Sequence, residues 1–258
     1  MGDTVNKRTT IEINGLKFTY PGIDGHPPPG SKPLINDFSL SLGAGDRCLL
    51  VGSNGAGKTT ILKILGGKHM VDQGMVRVLG RSAFHDTGLT SSGDLCYLGG
   101  EWKRDVAFAG FEVLLLDEIT VDLDVLARAN LLSFLKKDCE ERGATIIYAT
   151  HIFDGLENWP THIVYVAHGR LQLALPMAKV RETSDLSLMR TVERWLRKER
   201  DEDRKQRKER KAKGVSEAEE GGTAVKVMNN GWAAGRLHST MAGAEESFFF
   251  SSNRVLRQ

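Results

Sequence analysis

The sequence predicts an α/β fold built on a parallel sheet, and three observations carry that prediction. Four short runs, RCLLV (47–51), VLLLD (113–117), ATIIYAT (144–150) and HIVYVA (162–167), are rich in Leu, Ile and Val, as strands buried on both faces are. Turn signals and helical stretches alternate with them from residue 10 to about 183, the pattern of a sheet covered by helices. A glycine-rich run, GSNGAGKT (52–59), follows the first of these strands and opens a helix.

The elements can be justified in chain order. TIEINGLKFTY (10–20) alternates apolar and polar residues in the manner of a half-buried strand, and LINDFSLSL (34–42) does so again. Between them PGIDGHPPPGSKP (21–33) holds five prolines and three glycines, which excludes regular structure. GKTTILKILGG (57–67) reads as a helix after the first buried strand. DVLARANLLSFLKKDCEERG (124–143) reads as one after the second, with Asp124 placed to cap its start and Gly143 its end. In DLSLMRTVERWL (185–196), Met189, Val192 and Leu196 recur at helical spacing and are expected to dock one face on the body. The run from Arg194 to Lys213 carries eleven Lys/Arg against five Asp/Glu. Glu193 with Arg197, Asp201 with Lys205, Asp203 with Arg207 and Glu209 with Lys213 are favourably oriented i,i+4 pairs, so the helix is expected to continue. From Gly214 onward Gly, Ser, Ala and Glu dominate without periodicity, and a flexible tail is expected. The expected organisation is therefore a globular body over 1–184, a charged helix over 185–213 and a tail over 214–258.

Bulk properties fit this plan. At 258 residues, 40% hydrophobic and 26% charged, the chain suits one globular domain with an appendage. Its longest apolar run, Ile163 to Ala167, is far short of the roughly 18 residues that span a bilayer, so no membrane segment is expected. MGDTVNKRTT at the start has no apolar core, and a cytoplasmic location is expected. Cys48, Cys96 and Cys139 are widely spaced and odd in number, which points to reduced thiols rather than disulfides or a zinc site.

The glycine-rich run is a P-loop pattern. Gly52, Gly55 and Gly57 let the backbone curl so that successive N–H groups face phosphate oxygens, with the helix N-terminus adding partial positive charge. Gly52, Ser53, Asn54, Gly55, Ala56, Gly57, Lys58, Thr59 and Thr60 form the expected nucleotide-contacting set. Within it Lys58 would reach the β- and γ-phosphates and Thr59 would ligate Mg²⁺. VLLLDE (113–118) brings Asp117 to the end of a buried strand as a metal ligand and Glu118 as the group that orients or activates water. TIIYATH ends a third strand at His151, whose neutral imidazole could hydrogen-bond a γ-phosphate, although a lone histidine after a strand is more often a plain loop residue.

These motifs, in this order from about Ile11 to Pro176, resemble the nucleotide-binding domain of ABC-type ATPases. The chain is most similar to stand-alone members without a membrane domain, such as the plant subfamily I proteins and a yeast Caf-type relative. The resemblance implies a P-loop NTPase core of ABC type, with a parallel RecA-like sheet and an antiparallel β-subdomain. It implies ATP and Mg²⁺ as cofactors, Tyr20 stacked on the adenine, Asp124 in a D-loop (VDLD, 121–124) at a dimer seam, and His151 as a switch histidine. It also implies homologous ABC subunits as partners, in a homo- or heterodimer, with membrane proteins or regulatory complexes beyond them.

One departure from the family is large. Lys58 lies only 59 residues upstream of Asp117, no glutamine occurs between Gln73 and Gln172, and no LSGGQ-type signature follows. The glutamine loop, the helical subdomain and the signature are thus missing. LGGE (98–101) is a lookalike on the wrong side of the expected insertion. The intact flanks point to a junction at Glu112–Val113, as a skipped exon or a faulty gene model would leave. A chain without the signature supplies half of an ATP sandwich, and losing such a trans element costs roughly 10³ to 10⁵ in rate by analogy with a GTPase deprived of its arginine finger. The expected function is an ATP-binding subunit with impaired turnover. The alternatives are an ATP-responsive scaffold or dominant-negative partner of a full-length relative, and a nucleic-acid adapter working through 194–213. The acids interleaved in that segment argue against nucleic acid.

Overall fold

The computed structural model describes residues 7–99, 110–183 and 186–212, with side chains to residue 209. The chain divides into two units, Met1–Asp203 and Arg204–Gln258, and the described part of the second, 204–212, is helical. The expected tail (214–258), Lys213, and Gly100 and Glu101 of the LGGE lookalike lie outside the described residues.

Among the described residues nine strands form two sheets. β1 (Thr9–Phe18), β2 (Ile35–Gly43) and β4 (Val76–Val78) make an antiparallel sheet in the order β2-β1-β4. The larger sheet runs β5-β6-β7-β3-β8-β9, from β3 (Arg47–Val51), β5 (Leu95–Gly99), β6 (Val113–Asp117), β7 (Thr145–Ala149), β8 (His162–Ala167) and β9 (Arg170–Pro176). Its first five strands are parallel. β9 returns antiparallel beside β8, so the sheet is mixed at that edge, whereas sequence alone suggested four of the parallel strands and neither β5 nor β9.

The four apolar runs are buried on both faces because successive side chains point to opposite sides of a strand. Cys48, Leu50, Leu115, Ile147 and Val164 face a core shared with β1, β2 and α1 (Lys58–Leu65). Leu49, Val51, Leu116, Tyr148 and Ile163 face the other core, which is covered by α3 (Val125–Arg142), α4 (Met177–Thr183) and α5 (Leu188–Ala212). A short helix, α2 (Gly88–Ser91), precedes β5.

Helix α3 begins and ends as its sequence predicts. The Asp124 carboxylate accepts a 2.7 Å hydrogen bond from the Ala127 N–H, and Gly143 closes the helix in the left-handed region at φ 71°. Helix α5 docks by two of the three expected residues, since Val192 is buried and Leu196 packs against the second core. Met189 is 54% exposed, while Leu188, Thr191, Val192 and Glu199 are buried and Trp195 packs against the same core. The helix starts at Leu188, and that phase turns Met189 outward.

Candidate functional site

The C-terminal ends of β3, β6 and β7 bring the expected residues together. β3 runs into the loop 52–57, and α1 begins at Lys58. The glycines are required by the backbone. Gly57 has φ 104°, and a Cβ there would strike Ile35, while one at Gly52 would strike the Val166 carbonyl. Such a loop leaves room for phosphate where side chains would fill it. Gly55 (φ 83°) and Asn54 are exposed at its rim, and Ala56 is buried beneath.

The Lys58 ammonium donates to the carbonyls of Gly52 (2.8 Å) and Ser53 (3.1 Å), so it is parked inside the curl it would serve. Burial pulls the pKa of Lys58 down, against the opposing effect of the Glu118, Asp117 and Glu199 carboxylates. Thr59 Oγ1 donates to Asp117 Oδ1 at 3.2 Å, which unites the two predicted metal ligands. Burial pushes the Asp117 carboxyl above its ordinary value, opposed by the hydrogen bonds from Thr59 and Tyr97. Among the described residues no group of three or more His, Cys, Asp or Glu forms a ready-made cation site. A hydroxyl beside a carboxylate, completed by phosphate oxygens and water, is the donor set that suits Mg²⁺.

Glu118 follows β6 with φ 56°, an uncommon conformation for a residue other than glycine, held by its N–H on the Ala149 carbonyl at 2.9 Å. Its carboxylate lies 3.4 Å from His151 Nδ1, and both side chains are partly open to solvent. Tyr20 stands beside the loop, 41% exposed, edge-on to Phe18 and His69 and with its hydroxyl 3.0 Å from Thr60 Oγ1. Asp124 stands at the start of α3, where its carboxylate caps the helix. Val121, Val125 and Leu126 around it are 51%, 76% and 71% exposed.

Two residues that sequence reasoning missed join the site. Tyr97 on β5 donates to Asp117 Oδ2 at 3.1 Å, because the parallel β5–β6 pairing sets Gly99 opposite Asp117. Glu199 on α5 accepts from the Ser53 hydroxyl at 2.8 Å. The signal for Glu199 lay in its spacing: 188, 192, 195 and 199 share a helical face.

Comparison with known proteins bears on the family and the fold. The ABC transporter family profile matches residues 35–98. "ABC transporter I family member 20" of Arabidopsis thaliana is 64% identical over 319 aligned positions, covering 97% of each chain. "CCR4-associated factor 16" of Saccharomyces cerevisiae is 32% identical, over 68% of this chain and 82% of its own. An "ATP binding subunit of ABC transporter" has a solved structure that overlays with a TM-score of 0.59 at 17% identity, covering 73% of this chain and 99% of that one, a likeness of fold. No helix among the described residues is long and apolar enough to cross a membrane. Close identity over nearly the whole of both chains, on a P-loop α/β fold, establishes that the chain belongs to the ABC transporter family as an ATP-binding domain.

Proposed function

We propose that this protein is a cytoplasmic ATP-binding subunit that works with homologous ABC subunits and turns ATP over slowly, if at all, when alone. The observation that carries this reading is the convergence of Lys58, Thr59, Asp117, Glu118 and His151 on one loop and helix N-terminus. When bound, Mg²⁺ neutralises charge on the β- and γ-phosphates. Thr59 and Asp117 are the residues that would hold it. Lys58 leaves the Gly52 and Ser53 carbonyls for the phosphates, Glu118 orients a water, and His151 donates to the terminal phosphate. Tyr20 offers its exposed ring to the adenine.

The impairment follows from the absence of a signature sequence and of any glutamine between Gln73 and Gln172. The aligned length of 319 positions exceeds the 258 residues of this chain, so the Arabidopsis relative has residues with no counterpart here, which supports a deletion. The Glu112–Val113 junction is well packed nevertheless. Both N–H groups donate to the Asp94 carbonyl, at 2.9 and 2.8 Å, and Phe111 is buried beside Arg142.

The exposed Val121, Val125 and Leu126 around Asp124 favour a second reading, a non-hydrolysing partner that pairs with a full-length relative through this apolar edge. A nucleic-acid role is disfavoured, since Arg197 and Lys198 are matched by Glu193 and Glu202. The test is the ATPase rate of the chain alone and mixed with a full-length homologue. A negligible rate alone that rises on mixing supports the first reading, and suppression of the homologue supports the second. A rate for the chain alone that equals the homologue's overturns both.

A further inference from the structure

Helix α5 inserts a buried carboxylate into the back of the phosphate loop. Glu199 is 8% exposed, and both its oxygens are held by the body: Oε1 accepts from the Ser53 hydroxyl at 2.8 Å, and Oε2 accepts from the Tyr165 hydroxyl at 2.6 Å. Tyr165 in turn stacks on Trp195 of α5, with ring centroids 5.5 Å apart and planes 26° from parallel. The nearest basic group with an ion contact to Glu199 is His168, at 3.9 Å. Two neighbouring cations of the helix are paired elsewhere, Arg197 with Glu193 at 2.6 Å and Lys198 with Glu202 at 3.9 Å.

Glu199 and Lys58 meet on one residue, since the Lys58 ammonium donates to the Ser53 carbonyl at 3.1 Å and the Ser53 hydroxyl donates to Glu199. Three carboxylates support the charged form of Lys58 against burial, namely Glu118, Asp117 and Glu199. The first two belong to the strand end that would handle metal and water. The third arrives from a helix 146 residues beyond Ser53 and has no part in that chemistry. A fixed negative charge here stabilises the empty loop, since it fixes Ser53 and gives Lys58 a counter-charge. It opposes a second set of negative charges arriving at the same place.

We infer that Glu199 is a positioning residue of the phosphate loop, through which α5 holds the loop ready and limits its affinity for anions until phosphate displaces the carboxylate from Ser53. This rests on the reading of the loop as a nucleotide site.

The experiment is equilibrium binding of ATP, ADP and adenosine to the full chain and to Glu199→Gln, which keeps the size and hydrogen-bonding capacity of the side chain and removes its charge. ATP binds about tenfold more tightly to the variant. ADP gains less, adenosine is unmoved, and Glu193→Gln on the exposed face of the same helix behaves as the parent. ATP affinity equal to or weaker than the parent's overturns the inference, and so does an equal change for adenosine, which would mark a general loosening. If Glu199→Gln melts early, Tyr165→Phe probes the same contact. It keeps the charge and the ring but frees one oxygen, so ATP binds about threefold more tightly with adenosine unmoved, and no change in ATP affinity overturns the inference. Lys58→Ala separates the two levels. ATP binding lost in Lys58→Ala but indifferent to Glu199→Gln defeats the role of Glu199 alone, whereas binding indifferent to Lys58→Ala defeats the nucleotide site as well.

Discussion

Replacing Tyr97 by Phe removes one oxygen and leaves the ring, so it isolates the hydrogen bond to Asp117. The carboxylate is 6% exposed, with Thr59 on one oxygen at 3.2 Å and Tyr97 on the other at 3.1 Å. Hydrogen bonds to a charged group contribute about 1.5–3 kcal/mol, and water at this partly open site recovers some of that, which leaves a loss of about 1–2 kcal/mol. For a body of this size such a loss lowers Tm by about 3–6 °C. Thermal unfolding followed by circular dichroism, without nucleotide, measures it. Asp117→Asn and the double variant complete a cycle, with a coupling of at least about 0.5 kcal/mol expected for groups in contact. A Tm within one degree of the parent, or a coupling near zero, refutes the claim that Tyr97 supports the Asp117 carboxylate.

Two other outcomes are expected. Gly57→Ala places a Cβ at φ 104° against Ile35, a strain of about 1–3 kcal/mol, and abolishes ATP binding while far-UV circular dichroism stays native; binding equal to the parent's counts against the loop geometry. Burial pushes the Cys139 thiol up to about 12, and burial followed by Asp46 pushes Cys48 higher. A raised pKa favours the protonated form in the fold, so these thiols contribute stability that is complete below the unfolded value of 9.0 and is lost as pH rises toward the folded one. Alkylation at pH 8 therefore labels half-buried Cys96 first and the other two only on unfolding; early labelling of Cys48 contradicts their burial.

The parts of the fold legible in the sequence were those fixed by local pattern. RCLLV, VLLLD, TIIYA and HIVYVA are apolar on both faces, and the Asp124 and Gly143 caps are set by backbone chemistry at a helix end. β9 escaped because RLQLALP alternates between exposed and half-buried positions at a sheet edge, and β4 because three residues carry no period. The loop and its acids were legible because each is a contiguous pattern, GSNGAGKT and VLLLDE, at the end of a buried strand. Tyr97 and Glu199 were not, since each reaches the site through tertiary placement, across 20 and 146 residues respectively. The charged run hid Glu199 further. Among the many acids there, only its helical phase with 188, 192 and 195 marks Glu199 for burial, and nothing in the sequence names its partner.

The central claim is that the loop and its acids bind ATP even though the chain lacks the sequence that would complete turnover. Equilibrium binding of Mg·ATP to the purified chain, beside Lys58→Ala and Glu118→Gln, tests it most directly. The parent and Glu118→Gln bind, and Lys58→Ala binds at least about tenfold more weakly, since it forfeits a charge-assisted contact to phosphate. Undiminished binding by Lys58→Ala, or none by the folded parent, contradicts the claim.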